Sequence, residues 1–131
     1  MPQTSEAKSA TVSGVITQIR TTDIEESIEF YTSLGFELDF RFQDFYAGIR
    51  VGDQPFHLKL VDDKDPAIEY VSKGDHFHLY FPTDDAESKA AELRKKGITP
   101  RSGINTTEWG SKEFSITDNQ GHILYFAENP D

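Results

Sequence analysis

Four histidines, His57, His76, His78 and His122, carry much of the side-chain chemistry open to this chain. His76 and His78 are spaced i, i+2. On an extended strand that spacing puts both imidazoles on one face, where two ligands could meet at a metal ion. The same pair also reads as surface or cleft histidines that hydrogen-bond without a metal. By strand alternation His57 shares their side and His122 takes the other. Thiolate chemistry is excluded, because the chain has no Cys. There is no G-x-S-x-G elbow and no phosphate-binding glycine loop. His78 near Tyr80 or Tyr125 could act as acid and base, although spacing alone does not assemble that pair. Trp109, the single Trp, stands between Glu108 and Gly110 in a predicted loop. It could stack on a flat cationic ligand, or pack against a sheet edge or a partner chain. Phe45 and Tyr46, beside Asp44, carry the same two readings.

These side chains need elements to position them. The pattern predicts a strand over Val15–Arg20 and a helix from Ile24 to Leu34. Asp23 with Glu26 caps the helix start and Gly35 ends it. Phe36, Leu38, Phe40 and Phe42 alternate with polar residues, as in a half-buried strand. A second strand, Phe45–Val51, turns at Gly52-Asp53-Gln54 into a third carrying Phe56, Leu58 and Leu60. Residues 62–74, polar and containing Pro66, read as a linker. Phe77, Leu79 and Phe81 then alternate with His76, His78 and Tyr80. A helix from Asp85 to Lys96 follows, with Asp84 and Glu87 as its capping box and Gly97 at its end. Strands are predicted near Ile98, at Lys112–Thr117 and at His122–Ala127, the last two joined by Asp118-Asn119-Gln120-Gly121.

The second half repeats the first in register. The step from Asp23 to Asp85 equals that from Gly35 to Gly97, and the same step carries Ile24, Ile28 and Tyr31 onto Ala86, Ala90 and Leu93. A shared β-α-β-β-β order marks an internal duplication. Alternation puts Phe56, Leu58, Leu60, Phe77, Leu79, Phe81, Leu124 and Phe126 under the helices. Ile16, Gln18, Arg20, His57, Lys59, His76, His78, Tyr80 and Tyr125 fall on the opposite face. A sheet face this polar is either solvated or a ligand cleft. Arg20 and Lys59 could receive a carboxylate or phosphate, or sit at a rim paired to an acid.

With 131 residues the chain can bury one real core. The 23 acidic against 13 basic residues leave a net charge of −10, which argues against nucleic acid. Residues 1–13, rich in Ser, Thr and Ala without an apolar run, read as a flexible tail rather than a signal peptide or membrane span. Cytosolic residence is the default expectation.

The stretches from Asp23 to Tyr31, Leu34-Gly35-Phe36, and Glu113 to Phe126 resemble the vicinal oxygen chelate superfamily of glyoxalases, bleomycin-resistance proteins and dioxygenases. Asn119 stands where that family's D-P-x-G hairpin has Pro. The run from Leu34 to Phe40, Asp44 to Asp53, and Glu108-Trp109-Gly110 resemble bleomycin-resistance proteins in particular. The resemblance covers residues 14 to 128. It implies an α+β fold of two βαβββ repeats, 14–61 and 75–128 within a domain 14–131, whose curved mixed sheets surround a cleft with the helices outside.

In metal-dependent relatives four inward side chains, two per half, hold one divalent ion. By distance from the motifs those positions carry over to Ile16, Lys59, His78 and Tyr125. Only His78 is an ordinary ligand, so the resemblance implies no metal and no other cofactor; if any metal binds, His76 and His78 are the expected ligands. The implied function is sequestration of a small molecule, such as a bleomycin-type antibiotic, in the cleft of a homodimer. The expected ligand-binding residues are Gln18, Arg20, His57, Lys59, His78, Tyr80, Trp109 and Tyr125, with no catalytic residue assigned. Bleomycin-type ligands are cationic, which sets Arg20 and Lys59 against them. The competing expectation is a metal-dependent lyase or oxygenase with atypical ligands.

Overall fold

The fold was taken from a computed structural model, which describes residues 9–74 and 76–130. Its elements are β1 (Gln18–Thr21), α1 (Ile24–Ser33), β2 (Glu37–Phe42), β3 (Tyr46–Val51), β4 (Gln54–Leu60), α2 (Pro66–Ser72), β5 (His78–Pro82), α3 (Ala86–Lys95), β6 (Asn105–Thr106), β7 (Lys112–Thr117) and β8 (Ile123–Glu128). They form two four-stranded sheets, ordered β1-β4-β3-β2 and β5-β8-β7-β6. In each sheet the first strand runs parallel to the last and the other pairs are antiparallel. This is an α+β fold built from one β-α-β-β-β unit used twice.

The duplicated positions do the same work in both halves. Ile24, Ile28 and Tyr31 are buried on α1, and Ala86, Ala90 and Leu93 on α3. They join Phe56, Leu58, Phe81, Leu124 and Phe126 in one core, with Leu60, Phe77 and Leu79 packed against it. Phe36 of the first half meets Phe81 of the second at 5.0 Å between ring centres. Asp23 caps α1 by accepting from the Glu26 amide at 2.9 Å. The Glu26 carboxylate does not close a box on Asp23; it accepts from Asn119 of the other half.

Several local expectations are corrected. The cap of α3 is Asp85, not Asp84, because the Asp85 carboxylate reaches the Ser88 amide at 3.0 Å. The segment 62–74 is not all linker. Asp65 accepts from the Ala67 amide and Pro66 takes the first helical turn, where a missing N–H costs nothing, so α2 forms and buries Val71. No strand forms at Ile98. Gly97 turns left-handed and the Ile98 amide bonds back to Leu93, so these residues finish α3. The edge strand falls instead at Asn105–Thr106. The first strand begins at Gln18 rather than Val15; Ser9 to Thr17 is exposed and forms no regular element. Of the predicted tail, residues 1–8 lie outside the described residues.

The largest departure is in β2. Its pairing with β3 slips between Leu38 and Phe40, leaving Asp39 as the extra residue. A bulge of one residue reverses the alternation beyond it. Leu38 pairs with buried Ile49, whereas Phe40 and Phe42 pair with Gly48 and Tyr46 on the opposite face. Of the half-buried strand expected from Phe36 to Phe42, Phe36 packs against the core, but β2 from Glu37 to Phe42 is exposed.

Candidate functional site

Register sets the site. Across the first sheet, Gln18, His57, Gly48 and Phe40 form one cross-strand row, and Arg20, Lys59, Tyr46 and Phe42 the next. Both rows lie on the face away from the core, because the residues between them, Ile19, Leu58 and Ala47, are buried under the helices. Four of the predicted binding residues, Gln18, Arg20, His57 and Lys59, are thus brought together.

Aromatic side chains that sequence reading left ambiguous or assigned to the core complete this face. Phe40 stacks on Tyr46 at 6.1 Å and meets the His57 ring edge-on at 5.2 Å. Its ring lies over Gly48, where a Cβ would overlap the ring edge, so the absent side chain at 48 makes the seat. The Tyr46 hydroxyl bonds His57 Nδ1 at 2.8 Å and accepts from Gln18 Nε2 at 3.0 Å. The result is a hydrogen-bonded aromatic platform that reaches solvent, since Phe40 and Phe42 are 40% and 60% exposed. The signal available in the sequence was Gly48 in the middle of a strand, which often marks a close approach.

The other predicted residues sit elsewhere. Tyr80 pairs with Tyr125 on the open face of the second sheet, and His78 meets the Tyr125 ring at 5.3 Å. The Tyr80 hydroxyl donates to Asn129 at 3.1 Å. Beside Tyr125, Arg101, Ser102, Asn105, Glu113 and Ser115 line a depression of about 440 Å³. Trp109 is 67% exposed, in the turn joining β6 to β7. His76 stacks on Tyr70 of α2 at 4.1 Å, so the two members of the His-x-His pair have different neighbours.

The residues do not fit the metal that the fold family implies. Ile16 offers no donor and Lys59 is a cation, so of the four family positions only His78 is an ordinary ligand. No group of three or more His, Cys, Asp or Glu among the described residues could hold a metal ion.

A second polar cluster is buried, between the halves. Asp118 accepts from His122 Nδ1 at 2.7 Å, from the Tyr31 hydroxyl at 2.5 Å, and from the amides of Gln120, Gly121 and His122. Burial pushes the Asp118 carboxyl up, but the His122 bond and charge and the Tyr31 hydroxyl outweigh it, and the acid is held below its ordinary value. Burial first, and then Asp118, push Tyr31 well up. His122, which alternation set on the face opposite the other three histidines, is spent in this contact on its Nδ1.

The comparisons with known proteins agree with this architecture. A bleomycin-binding protein solved with bleomycin superposes with a TM-score of 0.71 at 21% identity, over 91% of this chain and 100% of that one. A bleomycin-resistance determinant encoded on the transposon Tn5 gives 0.72 at 20% identity, over 92% and 100%. A lactoylglutathione lyase from Agrobacterium tumefaciens gives 0.68 at 16% identity, over 89% and 94%. At these identities the likeness is one of fold. No curated protein matches the chain. The model of the Glyoxalase/Bleomycin resistance protein/Dioxygenase superfamily matches residues 14–126, and the chain belongs to that superfamily.

Proposed function

We propose that the chain is a small-molecule binding protein of the bleomycin-resistance type, which holds an aromatic ligand on the open face of its first sheet. The observation that carries this reading is the platform of Phe40, Tyr46 and His57 seated over Gly48. Exposed aromatic residues scattered singly are ordinary surface, but a contiguous exposed patch is often a binding site. A platform needs no chemistry of its own, so sequestration rather than turnover is the function it supports.

A platform on one sheet is half a cleft. A second copy of the chain would close it, with Tyr80, Tyr125 and Trp109 of the second sheet as the opposing wall, and the working form is then a two-fold homodimer. Among the described residues no helix is long and apolar enough to cross a membrane. Cytosolic residence goes with this reading as the default compartment.

Calorimetric titration with bleomycin and with planar aromatic compounds, alongside sedimentation of the same sample, tests both parts. Saturable binding that Phe40→Ala weakens about tenfold or more is expected, because stacked aromatic pairs contribute on the order of a kcal/mol beyond their burial. A monomer that binds none of the compounds at millimolar concentration would remove the proposal. Stoichiometric transition metal in the purified protein would favour a metal-dependent lyase or oxygenase instead.

A further inference from the structure

The two cross-strand rows are graded in chemistry. Arg20 and Lys59 are in-register partners on β1 and β4, and Tyr46 and Phe42 continue the same row outward across β3 and β2. Like charges placed opposite each other on adjacent strands repel. Among the described residues the pair has a single acid within ion-pair distance, Asp65, at 3.6 Å from Arg20. Lys59 makes no ion pair with any described residue. The outer acids of this region are already engaged: Asp39 with Arg50, and Asp44 and Glu25 with Arg41. In a chain with 23 acidic residues and a net charge of −10, two cations opposite each other on the open face of a sheet make a local reversal of the overall charge.

We infer that the site on this sheet selects a flat aromatic molecule carrying an anionic group, a carboxylate or a phosphate. The anion sits between Lys59 and Arg20 and the ring lies on Tyr46, Phe42 and Phe40. This rests on the platform reading above and names its substrate class. The geometry comes from strand spacing. The cationic end centres between β1 and β4 and the aromatic end between β3 and β2, so anion and ring are separated by about two strand intervals, roughly 10 Å. Arg20 supplies a planar fork and Lys59 a mobile point charge, a combination suited to two or three oxygens of one oxyanion. Gln18 and His57 border this end and add hydrogen bonds without charge repulsion. A cationic aromatic ligand would meet the same pair as a barrier.

The test uses three isosteric probes on the full chain: biphenyl-4-carboxylate, biphenyl-4-carboxamide and biphenyl-4-carboxamidine, titrated at low salt. The carboxylate is expected to bind about tenfold more tightly than the amide, the usual advantage of a charge-assisted hydrogen bond, and the amidine most weakly. Lys59→Met should bring the carboxylate-to-amide ratio close to one, whereas Lys73→Met, on the exposed end of α2, should leave it unchanged. A phosphonate analogue of the carboxylate separates the two anion types. Equal binding of all three probes, or preference for the amidine, overturns the inference while leaving the platform standing. A ratio that survives Lys59→Met overturns it as well. Failure of every probe to bind removes the platform reading and the inference together.

Discussion

The two halves share one blueprint and differ at the open edge of each sheet. In the first, the outer strand is β2, six residues long, bulged at Asp39 and lined with Phe40 and Phe42. In the second, the outer strand β6 has only two residues, and the face beside it is polar, with Arg101, Glu113 and Ser115. The helix positions facing the core stayed buried in both halves, Ile24 with Ala86, Ile28 with Ala90 and Tyr31 with Leu93, although each pair differs in size, because the helical period rather than the residue type sets which face is covered. The surfaces were free to diverge. The first half became an aromatic platform. The second contributes the buried Asp118 hairpin that clasps α1. The exposed aromatic platform and the buried clasp therefore belong to different copies of one unit.

That division can be broken from either side, and the largest effect should come from the clasp. Asp118→Ala strands His122 and Tyr31 in the interior and frees three backbone amides. A stability loss of about 3–5 kcal/mol is expected in urea unfolding, the usual result of removing one member of a buried pair. Its acid limb should change too. Asp118 is held low when folded, so its contribution is complete above the ordinary carboxylate pKa of about 3.9 and disappears as pH falls through the folded value. Unfolding midpoints of the wild type measured from pH 6 to 2 should fall through this range, and those of Asp118→Ala should fall less.

Gly48→Val tests the platform. The new side chain displaces the Phe40 ring, at a cost of about 1–3 kcal/mol if neighbours must shift. Ligand binding should be lost while the helical circular dichroism spectrum persists. Phe40→Ala should cost under about 1 kcal/mol of stability, since the ring is already part-exposed, and yet weaken aromatic ligands. Tyr125→Ala in the second half, compared in the same titration, shows whether that sheet is an opposing wall; no change in affinity would restrict the site to the first half. The smallest effect belongs to Lys96→Ala. Lys96 Nζ donates to the Ser33 carbonyl at 2.8 Å, so α3 supplies the cation that the last turn of α1 lacks. About 0.5 kcal/mol of thermal stability should be lost.

The sequence by itself determined the repeat, the start of α1 at Asp23, the glycines that end α1 and α3, and the core residues Phe56, Leu58, Leu124 and Phe126 of β4 and β8. These are local or periodic properties: a capping carboxylate acts within one turn, and alternation follows from the pleat. It also placed Gln18, Arg20, His57 and Lys59 on one side of the chain, because β1 and β4 are regular.

Tertiary structure alone decided the rest. The bulge at Asp39 is an event of pairing with β3, and without the partner strand Phe40 and Phe42 read as core. Whether Pro66 breaks a linker or opens α2 depended on Asp65 capping a helix that could bury Val71. The clasp of Asp118 on Tyr31 joins residues 87 positions apart, and the seat of Phe40 over Gly48 exists only once two strands lie side by side. Periodicity reports which face a residue takes in a regular element. It is silent on where two elements slip, and on which distant groups share a space from which water is excluded.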